Sequence, residues 1–322
     1  MTVQITIIGL GQVGSSIGLA LAAHTEKIKR IGHDKNLSQA QKAKSIGALD
    51  RVEHNLPRSV EGADLVILAL PMDAIAETLQ LIGPDLREGC VVLDTAPYKA
   101  PVADWARTHL PVGRHYVGLV PALSPHQITG LERLPHAELF RDGVIGLVNP
   151  PGVPGEAVKL ASDLVTLLGA QPFFMDISEA DNLMASAHLL PQLLSAALLD
   201  MTVDFSGWRE MRRLAGRPYA AATLPAASQD TAKGLAQALL SDPQASLAAL
   251  DAYLQTLAGL RTAIAVGDES ELVRRFEQAR SGREKWWAER AGGDWHKVEF
   301  GSGERPRRPG LFGNWFGRDK GK

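Results

Sequence analysis

Val3-Gln4-Ile5-Thr6-Ile7-Ile8-Gly9-Leu10-Gly11-Gln12-Val13-Gly14-Ser15-Ser16 is the stretch from which the fold of this 322-residue chain is read. An apolar run, Ile5 to Ile8, stops at a Gly-x-Gly-x-x-Gly turn, and small and apolar residues continue as far as Ala22. That order reads as strand, glycine turn, helix. Gly9 permits the tight turn, Gly11 lets the backbone approach a pyrophosphate, and Gly14 lets the helix pack closely on the strand. The helix start at Gln12 and Val13 offers unpaired N–H groups and a partial positive charge to phosphates. Asp34 lies 20 residues past Gly14, the spacing of a carboxylate that accepts hydrogen bonds from the adenosine ribose. A carboxylate there repels a 2′-phosphate, so NAD is expected in preference to NADP. Lys35 and Arg30 stand near enough to keep NADP an alternative. A role for Asp34 as cap of the helix beginning near Leu37 is compatible with the ribose role.

The chain length suggests two domains. Ala63 to Pro71, Cys90 to Asp94, Tyr116 to Val120 and Val144 to Val148 read as further buried strands, and Gln171 to Met175 as a last edge strand. Helical patterns, including Ala74 to Ile82 and Gly155 to Leu168, fall between most of them. The expectation is a doubly wound parallel sheet of the Rossmann type, with Leu70 and Pro71 at its carboxyl edge bordering the nicotinamide. From Ser178 to about Arg290 the pattern is helical only. The expected layout is a dinucleotide-binding domain over 1–175, an all-helical substrate and dimerisation domain over 176–292, and a Gly/Pro/Arg-rich tail over 293–322. Within that tail Leu311 to Phe316 is unusually aromatic, and reads as solvated or as docked in a groove.

Leu183 to Met201 is apolar on nearly every face, which predicts a helix buried all round. Leu247, Leu250, Leu254, Leu257 and Ile264 recur at a/d-like spacing, with Arg261 in the remaining position. This is a core seam or a seam between subunits. So much apolar helix in a small domain points to a homodimer formed through it.

Hydrophobic residues make up 45% and charged residues 22% of the chain, ordinary values for a soluble globular protein. The formal net charge of −2 gives no reason to expect nucleic acid or an anionic membrane as partner. Cys90 is the only cysteine, which excludes an intrachain disulfide and fits a reducing cytoplasm. Its apolar setting predicts a buried structural thiol. The chain enters a strand at once, so no signal peptide is expected, and no apolar run reads as long enough to span a bilayer. No His/Cys/Asp/Glu cluster has metal-ligand spacing.

Four further stretches resemble motifs of the prephenate/arogenate dehydrogenase family of tyrosine biosynthesis. Asp94-Thr95-Ala96-Pro97-Tyr98-Lys99 is similar to the family's D-x-G-S-V-K. Val117-Gly118-Leu119-Val120-Pro121-Ala122 stands in the place of V-G-x-H-P-M. Ala187-His188-Leu189-Leu190-Pro191-Gln192 resembles S-H-L-P-H, and Gly207 to Ala215 resembles G-F-R-D-T-T-R-I-A. The resemblance covers roughly residues 3 to 290 and implies oxidative decarboxylation: hydride passes to the nicotinamide, a histidine takes the hydroxyl proton, carbon dioxide leaves, and the ring aromatises.

The implied substrate is a small dicarboxylate or amino-acid-like acid. Arg213 matches the family's substrate-binding arginine, and Arg209 lies one helical turn earlier on the same face. The departures fall in the chemistry. The family's catalytic histidine is Val120 here, its serine is Pro97, and the second histidine of S-H-L-P-H is Gln192, which can still hydrogen-bond a carboxylate but carries no charge. His126 and His188 are the candidate replacement bases. Two other readings remain: a dehydrogenase of the same build for another small carboxylate, or an NAD-binding sensor without turnover.

Overall fold

The computed structural model describes residues 2–128, 133–203, 205–227 and 230–292. Strands β1 Val3–Ile8, β2 Ile28–His33, β3 Arg51–Val52, β4 Leu65–Leu68, β5 Val91–Asp94, β6 His115–Pro121, β7 Val144–Val148 and β8 Gln171–Met175 form one sheet. Its spatial order is β3-β2-β1-β4-β5-β6-β7-β8. The first six strands are parallel, and their order reverses between β1 and β4. An open α/β sheet binds ligands outside the carboxyl ends at such a reversal.

Helices α1 Gln12–Ala20, α2 Leu37–Ser45, α3 Leu56–Val60, α4 Met72–Ile82, α5 Ala100–His109, α6 Pro125–Ile128 and α7 Gly155–Leu167 alternate with these strands. The wholly parallel sheet expected from sequence is modified at one edge: β7 runs antiparallel to β6, and β8 is parallel to β7. A parallel return needs a full crossover helix. The link between β6 and β7 carries only the four-residue α6 among its described residues.

The apolar strand runs are buried on both faces. Ile5, Ile7, Leu65, Ile67, Leu93 and Val117 pack on one side against α1 and α7, while Ile8, Val66, Leu68 and Val92 pack on the other against α4 and α5. Cys90 belongs to the second cluster, and burial pushes its thiol up to about 12, in keeping with the structural role expected of it.

Beyond β8 the described chain is helical: α8 Ile177–Met184, a π turn Ala185–Leu189, α9 Leu190–Val203, α10 Trp208–Leu214, α11 Arg217–Thr223, α12 Ala232–Ser241, α13 Pro243–Val266 and α14 Glu269–Ala291. Two expectations are corrected here. The segment from Leu183 to Met201 is not buried all round, since Leu183 is 52% and Met201 69% exposed. Likewise Leu247, Leu254, Leu257 and Ile264 face outward, so their row is not a core seam of this chain. A third correction concerns length, because Ile177–Val203 is long and apolar enough to cross a membrane by length and composition. Its engaged polar residues argue for another role: Asp181 accepts backbone N–H bonds from Lys99 (2.6 Å) and Ala100 (2.9 Å), and Gln192 is buried among polar partners.

Under the carboxyl end of β5 lies a fully buried ionic cluster. Lys99 Nζ donates to Asp94 Oδ2 at 2.7 Å, Tyr116 OH donates to Asp94 Oδ1 at 2.6 Å, and the Ala96 N–H donates to Oδ2 at 2.7 Å. Both Asp94 and Lys99 are fully buried. Burial lowers the ammonium's pKa despite Asp94, and burial together with the neighbouring carboxylate raises the Tyr116 hydroxyl's. Gly118 on β6 makes the space, since a Cβ there would lie 2.5 Å from Lys99 Cδ.

Candidate functional site

The glycine turn closes as its sequence requires. Gly9 has φ +89°, and a Cβ on it would strike the Ala69 carbonyl oxygen; a Cβ on Gly14 would strike the carbonyl oxygen of Gly9. Side chains at either place would force the turn away from β4 and α1. Gly11 is the N-cap of α1 and carries no capping side chain, which leaves the first N–H groups of the helix available to an anion.

Asp34, at the end of β2, has two local duties. Its Oδ2 accepts the Leu10 N–H at 2.8 Å, holding the glycine turn, and its Oδ1 accepts the Asn36 N–H at 2.8 Å. The cap of α2 is Asn36, whose side chain accepts from Ser38 and Gln39, so the capping alternative for Asp34 is set aside. Arg30 is also reassigned. It is buried, pairs with Asp50 at 2.6 Å, and donates to the Gly18 and Gly47 carbonyls. It is therefore not free for a 2′-phosphate, whereas Lys35 borders the cleft.

A cleft of about 770 Å³ runs from this turn across the reversal point of the sheet. One end is lined by Gly9, Gly11, Gln12, Val13, Asp34 and Lys35. Leu70 and Pro71 border it after β4, as expected from their position. The floor beyond them is apolar: Ala96, Pro97, Val120, Pro121 and Leu123. Val120 and Pro97 thus stand together in the cleft wall.

The helical half closes the other end with Met184, His188 and Asp230. His188 sits in the π turn, a local widening of the helix that recurs at functional sites. Its Nε2 lies 2.9 Å from Asp230 Oδ2, and Gln192 Nε2 donates to the same oxygen at 3.1 Å. Burial pushes the Asp230 carboxyl up, but the His188 hydrogen bond and charge, Gln192 and the nearby Arg133 more than offset this and hold it below the usual carboxylate range. A carboxylate at Asp230 can only accept, so the hydrogen bond to it is donated by Nε2, and Nδ1 is the ring nitrogen not engaged by Asp230. The arrangement is that of an oriented base.

His126 is exposed on α6 and does not line the cleft, and neither do Arg209 and Arg213 on α10. Gln192 reaches the site through Asp230. Sequence reasoning missed Asp230 and Arg133. The only local cue to Asp230 is the Asp-Thr pair ahead of α12, whose Thr231 caps that helix and donates to Asp73 at 2.9 Å.

Residues 17–173 match the family model described as prephenate dehydrogenase, nucleotide-binding domain. A cyclohexadienyl dehydrogenase of Zymomonas mobilis is 28% identical over 287 residues, covering 87% of this chain and 94% of its own. Among solved structures, a prephenate dehydrogenase from A. aeolicus, in complex with hydroxyphenyl propionate and NAD+, superposes with a TM-score of 0.76 at 20% identity, covering 88% of this chain and 98% of that one. An arogenate dehydrogenase from Synechocystis gives a TM-score of 0.67 at 22% identity, over 88% and 99%.

Proposed function

We propose that this chain, similar over its nucleotide-binding half to the prephenate dehydrogenases and along most of its length to a cyclohexadienyl dehydrogenase, is a member of the prephenate/arogenate dehydrogenase family, an NAD-dependent dehydrogenase which oxidatively decarboxylates a prephenate- or arogenate-type acid with His188 as its base. The observation that carries this reading is the His188–Asp230 pair lining the same cleft as the glycine turn. The glycine cradle and the Asp34 carboxylate fit a dinucleotide. NAD supplies the hydride acceptor. The chain's own residues orient the acid and receive its proton: Val120, Pro97, Leu70 and Met184 give an apolar wall against the ring and exclude water, and Nδ1 of His188 takes the hydroxyl proton. Aromatisation of the ring supplies much of the driving force, so placement and proton removal are what the protein has to provide.

The test is NADH production from prephenate and from arogenate, each with NAD and NADP. Turnover on one of them, faster with NAD, is expected. NAD binding with neither acid turned over would overturn the reading in favour of a nucleotide-binding protein without this activity.

The division into a cofactor half ending near residue 175 and a helical half over 176–292 is read as two domains, the second joining two copies of the chain. The outward row Leu247, Leu254, Leu257 and Ile264 on α13 supports that pairing, because exposed apolar surface of this extent marks an interface. Sedimentation of the native protein is expected to give a two-chain particle. A one-chain particle at micromolar concentration would remove the dimer from the reading.

A further inference from the structure

The cleft holds an asymmetry of charge. Its lining carries three carboxylates, Asp34, Glu77 and Asp230, and two permanently charged cations, Lys35 and Arg133. Lys35 adjoins Asp34 at the glycine-turn end. Arg133 is near enough to Asp230 for its charge to act on that carboxyl, which places it toward the His188 end.

The segment bearing Arg133 is tied down across the start of α1. Gln12 Nε2 donates to the Leu134 carbonyl at 3.3 Å, and the His136 N–H donates to Ser16 Oγ at 2.9 Å. Among the described residues Arg133 forms no ion pair, and it is exposed to the solvent of the cleft. An anchored backbone carrying an unpaired guanidinium over an apolar wall is a carboxylate receptor, because the planar fork matches a carboxylate bidentately.

We propose that Arg133 grips a carboxylate of the substrate and sets its orientation toward His188, the duty that the family resemblance assigns to Arg213. This rests on the dehydrogenase reading above. Arg133 approaches from the sheet half of the same chain, so the carboxylate contact does not depend on α10 reaching the cleft. An acid held between Arg133 and the wall of Val120 and Pro97 presents its ring edge to the helical half, where the imidazole lies.

The experiment compares wild type with Arg133→Ala, Arg133→Lys and Arg213→Ala. It reads KM and kcat for the acid turned over, the Kd of hydroxyphenyl propionate for the NAD-loaded enzyme by calorimetry, and the Kd of NAD alone. One charged hydrogen-bond pair corresponds to about 10- to 150-fold in affinity. Arg133→Ala is expected to weaken hydroxyphenyl propionate and raise KM by about that factor, with NAD affinity unchanged and Arg133→Lys intermediate. Unchanged acid binding in Arg133→Ala overturns the proposal. So does a loss that falls on NAD instead, which marks a pyrophosphate clamp, or a loss confined to Arg213→Ala. If wild type neither binds hydroxyphenyl propionate nor turns over either acid, the dehydrogenase reading itself has failed, and the assignment of Arg133 falls with it.

Discussion

Replacing His188 with alanine is expected to lower kcat by about 10²–10⁴-fold, the worth of a positioned general base, with the Kd of NAD unchanged. The argument is one of exclusion as well as placement. The wall position where the family resemblance puts a histidine is Val120, which accepts no proton. The serine position is Pro97, and His126 lies outside the cleft lining. His33, the other histidine of the lining, stands at the glycine-turn end with its Nδ1 against the Glu53 carbonyl, which leaves His188, the one histidine among the described residues with a carboxylate partner at hydrogen-bonding distance. Asp230→Asn separates orientation from bulk. The amide keeps the volume but offers no charge to hold the Nε2 proton, so kcat should fall while KM moves little. Hydride transfer to NAD in single-turnover experiments is the measurement. If His188→Ala retains turnover within about threefold of wild type, the proton leaves by another route and the base assignment is wrong.

The second large effect is on stability. Lys99→Met is expected to cost about 3–5 kcal/mol, because it strands Asp94 as a fully buried charge with only Tyr116 and a backbone N–H to satisfy it. For a chain of this size that is a fall of about 4–7 °C in Tm, readable by calorimetry. Asp94→Asn with Lys99→Met should recover much of the loss, since the charge that needed a partner is gone. A single variant as stable as wild type would mean that water or another cation reaches Asp94, contrary to its complete burial. The cluster lies beside the cleft rather than in it. Asp94 takes the Ala96 N–H and so shapes Thr95 to Pro97, which border the cleft.

The sheet half is legible in the sequence because its signals are local. An apolar run before Gly9 and a proline after Leu70 each reflect constraints within a few residues, and Asp34 follows Gly14 at a spacing fixed by one strand–helix–strand unit. Even the edge strand at Gln171 to Met175 shows itself by composition. The reversal of β7 does not, since strand direction depends on how the link from β6 travels.

In the helical half, apolar content foretold helices but not which faces would be covered. Leu183, Met201 and Leu254 look like core in sequence and lie at the surface of a single chain. The site shows the same division. The glycines and Leu70 are where local pattern puts them. Asp230, by contrast, meets His188 across 42 positions of chain, through a π turn that no hydrophobic period announces. Arg30 and Lys35 look equivalent beside Asp34 in sequence, yet the buried pair with Asp50 removes one of them.

The π turn at Ala185–Leu189 works as a phase shifter. An α-helix advances about 100° per residue, and a π turn inserts an extra residue into that count. The helices on its two sides, α8 and α9, are therefore set on independent dials. Upstream, Asp181 is locked to the start of α5 by two backbone bonds. Downstream, Gln192 answers to Asp230. A single-residue insertion or deletion inside the turn would re-aim the polar face toward the cleft without loosening the anchor on the sheet. If His188 is the base proposed above, that slack is what sets its imidazole against the cleft independently of the anchor on the sheet.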